Sequence, residues 1–330
     1  MTSSSVSSSF SHIPVLLAEV LHYLDPSMGG IFVDGTFGLG GYTRAILDAS
    51  PHVKVIAIDR DPEAKMRAEA FEKQYGDRFY FVQGRFGDMQ VHVRALGFDH
   101  VQGIVLDLGV SSPQLDDGQR GFSFRFDGPL DMRMGLSDKT AADVVNGYEE
   151  EALADLIYLF GEERHARRVA RRIVHMRQEA PIETTAQLAR IVRAAIPGKK
   201  QWGQIDSATR TFQALRIYVN DELAELEKAL EASQALLAPE GRLVAVSFHS
   251  LEDRIVKRFL QQVSGRAGAG VSRYDPVVPE KAPVLFRLLA KKSVEAGAEE
   301  TQRNPRSRSA KLRAAQRTNS LMSGAVKGDQ

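Results

Sequence analysis

The sequence predicts an α/β protein in which a doubly wound parallel sheet is interrupted by a helical insert. Three apolar, strand-like runs each end in a carboxylate, at Asp34, Asp59 and Asp107. A glycine-rich turn follows the first run, and the stretch 116–210, a loop followed by helices, precedes a further strand at 241–248. Ligands of such sheets bind at the carboxyl ends of the strands, so the three acids indicate a site at one edge.

The chain begins with a serine-rich segment, and we expect residues 1–10 and 321–330 to be disordered tails. Apolar residues at helical spacing then predict a short helix over 12–21. His12 faces a ligand in one interpretation and is a polar residue near a helix start in the other.

The glycine-rich turn is the most informative local element. An apolar strand over 31–34 runs into four glycines within 35–41, and helical spacing begins at Tyr42. Glycine lets the backbone pass close to a ligand, and the first amides of a helix favour an anionic group. We interpret the turn as a cradle for a cofactor; a plain tight turn is the alternative.

The next two strands add candidate ligand residues. The strand over 53–59 ends in Asp59, about 20 positions past the glycine turn, where nucleotide-binding units place the acid that binds ribose hydroxyls. An ordinary helix N-cap is the alternative for Asp59. The strand over 79–82 leads to Phe86, which is placed to lie against a flat ring.

The insert combines aromatic and basic patterns. Phe122, Phe124 and Phe126 alternate with polar residues, which predicts either stacking faces for bases or an edge strand that buries the rings. Helices are expected over 149–160, 162–177, 184–195 and 206–237. Arginines at helical spacing predict a phosphate-binding face or a solvated face paired with acids at 149–151: Arg164, Arg167, Arg168, Arg171, Arg172 and Arg177.

The final part returns to the sheet. After the strand at 241–248, Ser250 and Asp253 have the spacing of a capping box that begins a helix. The basic stretch 304–313 is expected to be partly strand. The predicted organisation is therefore a sheet domain of 11–115 and 211–320 with an inserted helical, RNA-recognition domain at 116–210.

Composition excludes several classes of protein. The chain has 330 residues and 43% apolar content, enough for two domains. It has no cysteine, which rules out disulfides, zinc-thiolate sites, iron-sulfur clusters and a cysteine nucleophile. No secretory signal or apolar span of membrane length is visible, so we expect a cytoplasmic protein without membrane contact, and no metal site is predicted.

The spacing of the glycines bears on the cofactor. A dehydrogenase fingerprint starting at Gly38 and Gly40 would need a third glycine where Thr43 stands, which weakens hydride transfer. S-adenosylmethionine is bound by the same kind of sheet with a looser glycine turn. There, the turn faces the methionine part and the acid after the second strand holds the ribose.

Several long motifs, taken together and in order, resemble the bacterial small-subunit ribosomal RNA cytosine-N4 methyltransferase family, also called MraW. They are His12 with Pro14-Val15-Leu16, the turn at 34–41, Asp107-Leu108-Gly109-Val110-Ser111-Ser112-Pro113-Gln114-Leu115-Asp116, the run 120–124, Ser247-Phe248-His249-Ser250-Leu251-Glu252-Asp253-Arg254 and the run 304–309. The resemblance implies a class I, Rossmann-like S-adenosylmethionine-dependent methyltransferase sheet with an inserted helical domain. It also implies methylation of a cytidine N4 in the P-site region of 16S ribosomal RNA.

The resemblance further implies particular cofactor contacts. These are Gly40, Gly41, Tyr42, Asp59, Phe86, Asp107 and Gln114. The family commonly has histidine where this chain has Tyr42, so a contact there is made through either the backbone or the side chain. We expect 16S ribosomal RNA as the partner, within the small ribosomal subunit, and a homodimer as one possible assembly.

The residues also suit the chemistry. Cytosine N4 is a poor nucleophile, so an enzyme must hold it in line with the methyl group and accept hydrogen bonds from its protons. Asp107, Ser111 and Ser112 supply such acceptors on one turn, and we predict them to be catalytic. Methylation at cytosine C5 through a cysteine adduct is excluded by composition. The alternatives are methylation of another nucleic-acid amine, in DNA cytosine or adenine, and a non-catalytic ribosome assembly factor.

Overall fold

The structure, a computed structural model, describes residues 14–135, 137–196, 206–266 and 284–319. Within these ranges the helices are α1 (Leu17–Leu24), α2 (Gly41–Ala49), α3 (Pro62–Tyr75), α4 (Met89–Ala95), α5 (Ser112–Asp116), α6 (Ala141–Gly147), α7 (Glu150–Gly161), α8 (Ala166–Arg177), α9 (Thr185–Ala195), α10 (Thr209–Asn220), α11 (Glu222–Leu236), α12 (Ser250–Val263) and α13 (Ala298–Arg303). The strands are β1 (Gly30–Asp34), β2 (Val53–Asp59), β3 (Phe79–Gln83), β4 (Val101–Asp107), β5 (Leu237–Ser247), β6 (Phe286–Leu288), β7 (Val294–Glu295) and β8 (Lys311–Arg317). The predicted tails and His12 lie outside the described residues.

The strands form one sheet of eight in the described chain, in the order β3-β2-β1-β4-β5-β8-β6, with β7 also paired to β8. The pairs from β3 across to β5 are parallel, whereas β8 runs antiparallel to β5. The chain leaves β1 toward β2 on one side and later returns to β4 on the other. This reversal opens a crevice at the carboxyl ends of β1 and β4, where doubly wound sheets bind ligands.

Two apolar layers cover the sheet. One face packs against α1, α2 and α3 through buried residues such as Val20, Ile46 and Phe71. The other packs against α4, α11 and α12, with Leu230 and Val256 among the buried side chains. Because both faces are covered, β2 and β4 are almost continuously apolar up to their terminal acids. Among the described helices, none is long and apolar enough to cross a membrane.

The insert has an apolar core of its own, which reaches from Phe122 to Val219 and so includes α10. The prediction of a single helix over 206–237 is wrong, because the chain breaks at Asp221, which has a left-handed φ of 52°. From there α11 packs on the sheet instead of on the insert. The described packing therefore leads us to propose that the insert ends at Asp221, past the predicted boundary at 210.

Three further expectations are corrected. The opening helix was predicted over 12–21, but it begins at Leu17 and ends at Leu24. Residue His249, not Ser250, caps α12 in a capping box with Glu252, while Asp253 instead accepts from Arg313 over 2.7 and 3.0 Å.

The aromatic loop of the insert is not an edge strand. The described residues 121–128 have no strand assignment. Phe122 is buried in the insert core, and Phe124 packs edge-on against Phe212 with ring centroids 4.9 Å apart. Phe126 is 58% exposed, so it alone of the three rings keeps a face for stacking.

Polar contacts join the insert to the sheet domain. Arg60, directly after β2, donates to the carbonyl oxygen of Asn220 at 2.6 Å and to Ser137 Oγ at 3.2 Å. At the far end of α7, Glu162 accepts from Arg254 at 2.8 Å and from Ser250. The insert is thus attached both at the end of β2 and at the start of α12.

Candidate active site

A cavity of about 350 Å³ lies at the carboxyl ends of β1, β2 and β4. Its walls come from the glycine turn, the end of β2, the turn after β3, the loop after β4 and the end of β5. The lining residues used below are Gly38, Gly41, Tyr42, Asp59, Asp61, Phe86, Asp107, Ser111, Ser112, Gln114, Arg216, Phe248 and Arg306. Almost all the predicted site residues are therefore brought together.

The glycines of the turn serve different purposes. Gly38 has φ 52°, and a Cβ built there would be no closer than 3.8 Å to any other atom, so this position faces the open cavity. A Cβ on Gly41 would lie 2.2 Å from Pro14 Cγ, and one on Gly40 would lie 2.4 Å from the Phe71 ring. Gly40, with φ 75°, is not among the lining residues that the structure describes. Its missing side chain makes room for Phe71, and a cofactor contact there stays a prediction.

Asp59 anchors this turn. One carboxylate oxygen accepts from the Gly38 amide at 2.7 Å, and the other accepts from the Asp61 amide at 2.8 Å. Burial raises the pKa of Asp59, and the amides of Asp61 and Gly38 partly oppose that rise. Each carboxylate oxygen can accept more than one hydrogen bond, so Asp59 still has acceptor capacity toward the cavity.

Asp34, the third strand-end acid, supports the turn from behind. It is buried, and it accepts from the Thr36 amide at 3.1 Å and from Thr43 Oγ1 at 2.7 Å. Burial raises its pKa from 3.8 to about 6, although these hydrogen bonds lower it in part. Asp34 does not line the cavity as described, so we assign it to holding the turn rather than to binding a ligand.

We expect Asp34→Asn to change how stability depends on pH. In the wild type the folded pKa of about 6 exceeds the ordinary carboxyl value of 3.8, so the carboxyl disfavours folding increasingly as pH rises between these values. Relative to wild type, the variant should gain about 2 kcal/mol in free energy of unfolding between pH 4.5 and pH 7. Urea unfolding at the two pH values measures this. Exposed Asp77→Asn is the control, and a wild-type-to-variant difference that is the same at both pH values would contradict the assignment.

Asp107 differs from the other two strand-end acids in its hydrogen bonding. Its amide donates to Thr36 Oγ1 at 2.7 Å, which joins β4 to the glycine turn. Its Oδ1 is buried and has no hydrogen-bond partner among the described residues. Burial raises the pKa of Asp107 well above its usual value, and the nearby carboxylates of Asp34 and Glu252 add to the rise. An unpaired carboxyl group at a cavity wall is suited to bind a polar hydrogen of a ligand.

The loop after β4 is held by a chain of side-chain contacts. Ser111 is the N-cap of α5, and its amide donates to Gln114 Oε1 at 2.9 Å. Gln114 Nε2 in turn donates to Asp61 Oδ2 at 2.7 Å. The hydroxyl of Ser112 accepts from Arg306. Both serines and Gln114 thus lie in the same wall as Asp107, and Gln114 uses both ends of its amide to tie the loop to the end of β2.

Tyr42 is buried, and its hydroxyl donates to the carbonyl oxygen of Val15. Burial raises the pKa of this phenol well above its usual value. Because the hydroxyl is already engaged with Val15, we interpret a cofactor contact at Tyr42 as one made through the backbone.

Several site residues were missed in the sequence. Asp61, the N-cap of α3, accepts from Gln114 and from Arg120 Nη2 at 2.8 Å, so it links β2, α5 and the insert. Arg306 and Arg216 line the cavity from distant parts of the chain. Local periodicity predicts neither of them; Arg306 lies in the run 304–309 that carries the family resemblance, whereas Arg216 lies in none of the quoted motifs.

A charged network lies behind Phe248. Glu252 is buried and accepts from the amides of Phe248 and His249 at 2.8 and 3.2 Å. Burial opposes its charge, but contacts with His249 and Arg216 outweigh it and lower the pKa of Glu252. Glu222, His249 and Glu252 place one potential metal-ligand atom each within 4.8 Å of one another. However, Arg216 binds both oxygens of Glu222 at 2.8 Å, so we interpret the cluster as a support for the turn after β5.

A doubly wound sheet with an antiparallel strand β8, a glycine turn at β1, an acid at the end of β2 and an unpaired acid at the end of β4 defines a class I, S-adenosylmethionine-dependent methyltransferase. A sequence model of the MraW methylase family matches residues 9–318. The chain belongs to this family.

Curated relatives agree with this membership. The chain is 54% identical over 304 residues to a protein of Maricaulis maris named ribosomal RNA small subunit methyltransferase H, covering 92% of this chain and 90% of the relative. It is 56% identical over 307 residues to the protein of that name from Methylorubrum extorquens, covering 93% and 87%. Among solved structures it is similar to the N-methyltransferase NodS of Bradyrhizobium japonicum in complex with S-adenosyl-L-homocysteine, with a TM-score of 0.39, 9% identity and coverage of 91% and 85%.

Proposed function

We propose that the protein methylates small-subunit ribosomal RNA, at the exocyclic N4 of a cytidine in the P-site region of 16S ribosomal RNA. The family match and the name shared by relatives above 50% identity support the RNA class. The observation that carries the chemistry is Asp107, whose unpaired Oδ1 stands at the end of β4 beside the glycine turn.

The lining residues fit the proposed cofactor. Asp59 has remaining acceptor capacity for the ribose hydroxyls, and Phe86 offers a ring to the adenine. The open backbone at Gly38, together with the backbone of Gly41 and Tyr42, would receive the methionine part. S-adenosylmethionine held by these residues would supply an electrophilic methyl group.

Asp107 would act on the incoming amine. Its carboxylate accepts a hydrogen bond from N4, which orients the lone pair toward the methyl carbon and stabilises the positive charge that develops on nitrogen. In the proposed transfer the methyl group would pass from the sulfonium sulfur to N4, and Asp107 or water would accept the surplus N4 proton. The Ser111 and Ser112 hydroxyls lie on the same turn and complete the proposed set of acceptors.

The insert offers a surface for the RNA. In α8 the buried face consists of Ala166, Val169, Ala170 and Ile173. The opposite face and the preceding turn carry exposed arginines at 164, 167, 168, 171 and 172, and the helix contains no acid. Among the described residues only Arg171 of these five has an ion pair, with Glu150 at 3.4 Å. Arg177, the sixth predicted member, instead donates to the carbonyl oxygens of Val145 and Tyr148. Unneutralised arginines on one face favour a polyanion, so we propose that this face binds RNA phosphates.

Replacing Arg168 and Arg172 together by Gln should therefore weaken RNA binding. We expect KM for the small-subunit particle to rise about 10-fold while kcat changes little, and the slope of log affinity against log salt to become shallower by about 1.4. The matched control is Lys65→Gln with Lys73→Gln on α3, which removes two exposed charges elsewhere. Equal effects of the two double variants would argue against a specific RNA-binding face.

The ribosomal RNA nucleosides of cells that lack this protein test the proposed function. Loss of N4-methylcytidine, restored by the wild-type gene, supports it, and unchanged N4-methylcytidine contradicts it. In vitro, the purified protein should methylate small-subunit particles and not naked DNA; transfer to DNA would favour the other amine substrates. If the protein binds small-subunit particles but methylates neither particles nor DNA, a non-catalytic assembly factor would be favoured. Methylation rates measured on free 16S ribosomal RNA and on small-subunit particles test whether the assembled subunit is the substrate.

A further inference from the structure

A second, wider groove of about 1150 Å³ lies beside the cofactor cavity. One side is formed by α1, including Leu17, Ala18 and Leu21. The other side is formed by α13 and the 3₁₀ segment Pro305–Ser309, and its floor includes α5. Apart from Ser112, no residue with a role in the proposed mechanism lines this groove.

The groove and the cavity share a boundary. Pro14, Leu39, Ser112 and Arg306 line both. Asp59 and Phe86 line only the cavity. The groove therefore opens into the cavity at the reacting end, next to the turn that carries Ser111 and Ser112, and away from the positions proposed to hold ribose and adenine.

Arg306 stands at this boundary. It donates to the Ser112 hydroxyl, and its Nη2 lies 3.4 Å from Asp116 Oδ1. Its side chain is 35% exposed, and Asp116 is itself 61% exposed, so the pair is open to solvent. A planar guanidinium in this position has donors left for a further anion, because each arginine offers five N–H groups.

Two more arginines line the groove, Arg125 and Arg303, which are exposed and make no ion pair with a described residue. The groove also has acids, but two of them are engaged: Glu300 accepts from the Leu16 amide at 2.7 Å, and Asp116 faces Arg306. Glu19 and Glu299 remain. Four acids therefore accompany the three arginines, and it is Arg306 that favours an anionic ligand, because it places positive charge at the entrance of the cavity.

The size of the cavity bears on what enters it. At about 350 Å³ it must hold the cofactor and the reacting base, so the sugar-phosphate chain on either side of that base has to lie outside. A base taken into a pocket from a single strand leaves its flanking phosphates at the pocket entrance.

We propose that this groove holds the single-stranded RNA next to the target nucleotide, with Arg306 binding the phosphate that flanks the base in the cavity. Arg125 and Arg303 bind the phosphates that follow. The proposal rests on the proposed function, since it assumes a nucleotide as substrate. It adds a path for the strand that is separate from the arginine face of α8.

The double variant Arg125→Gln with Arg303→Gln tests the groove. The control is Arg308→Gln. Arg308 is exposed and lies in the 3₁₀ segment Pro305–Ser309 together with Arg306, but it lines neither the cavity nor the groove. The probes are a single-stranded oligoribonucleotide with the sequence around the target cytidine and the unmethylated small-subunit particle. Binding is measured over a range of salt concentrations, and cofactor affinity is measured by calorimetry.

We expect the double variant to bind the oligoribonucleotide about 10-fold more weakly, with a salt slope shallower by about 1.4, and to bind S-adenosylmethionine as the wild type does. Arg306→Lys, which keeps the charge but loses the forked geometry, should raise KM for RNA more than it changes cofactor affinity. Arg308→Gln should match the wild type.

Three outcomes would overturn the proposal. Unchanged RNA affinity in the double variant is one, and an equal loss in Arg308→Gln is another. Weaker binding of the particle with unchanged binding of the oligoribonucleotide is the third, because it would indicate a ribosomal protein in the groove. Failure of the proposed function is seen separately, as a wild type that does not methylate the particle, since RNA binding is measured without turnover.

Discussion

Asp107→Ala is expected to lower kcat for methyl transfer about 10³-fold at saturating cofactor and, because Asp107 is also a predicted cofactor contact, to weaken S-adenosylmethionine binding by a much smaller factor. The reason is the position of its carboxyl group, which is unpaired in the described structure and lines the cavity at the end of β4. Single-turnover methylation of small-subunit particles, with cofactor binding measured by calorimetry, separates the two quantities. A variant that retains full transfer would remove Asp107 from the chemistry.

The pH dependence gives a second readout of the same group. Burial, with Asp34 and Glu252 nearby, raises the pKa of Asp107, so the proton is lost only at a pH well above the usual range for a carboxyl. The carboxylate is the form that accepts the N4 proton, and kcat of the wild type should therefore increase as pH rises through the raised pKa. Asp107→Asn keeps the shape but cannot ionise, so its residual rate should lack this increase. A wild-type rate that falls with pH in that interval would contradict the assigned role.

Asp59→Ala should produce the largest loss of cofactor affinity, about 10- to 100-fold. The carboxylate has two tasks, because it is the proposed acceptor for the ribose and it already holds the Gly38 amide at 2.7 Å. Removal of the side chain therefore loses a ligand contact and loosens the turn that faces the methionine part. Titration calorimetry with S-adenosylmethionine and with S-adenosylhomocysteine measures the loss.

Two further variants sharpen this test. Asp59→Asn keeps one acceptor for the Gly38 amide and should fall between wild type and Asp59→Ala. Exposed Asp77→Ala removes a carboxylate far from the cavity and should bind the cofactor normally. At saturating cofactor and RNA, kcat of Asp59→Ala should stay within about threefold of wild type, because the residue is proposed to bind rather than react. Unchanged affinity would exclude Asp59 as the ribose acceptor.

The sheet and its ligand-binding edge were predictable because their signals are local. Buried parallel strands are nearly all apolar, and the polar residue that ends each of them is visible in the sequence. The confirmed fold class follows from this pattern and from the resemblance. The break at Asp221 was not predictable, since neither glycine nor proline marks it and the helical spacing runs on through it. The two helices differ in their packing, because α10 packs in the core of the insert whereas α11 packs against the sheet.

The details of the site depend on remote contacts. Arg306 meets Ser112 across 194 positions, and no spacing rule predicts such a pair.

The cap of α12 was misassigned for a different reason. Histidine is not an expected cap, but His249 Nδ1 accepts from the Glu252 amide at 3.4 Å, and Glu252 reaches back to the His249 amide. The roles of the site residues, the homodimer and the cytoplasmic location stay predictions.

The contact between Arg60 and Asn220 has a thermodynamic consequence. Arg60 follows the proposed ribose acceptor directly in the chain, and Asn220 is the last residue of α10, so the end of β2 and the end of the insert share a hydrogen bond of 2.6 Å. If cofactor binding at Asp59 changes the affinity of the insert for RNA by some factor, RNA must change the affinity for the cofactor by the same factor. A single measured coupling energy, with and without Arg60→Ala, therefore describes communication in both directions, and its sign decides which of the two ligands favours the arrival of the other.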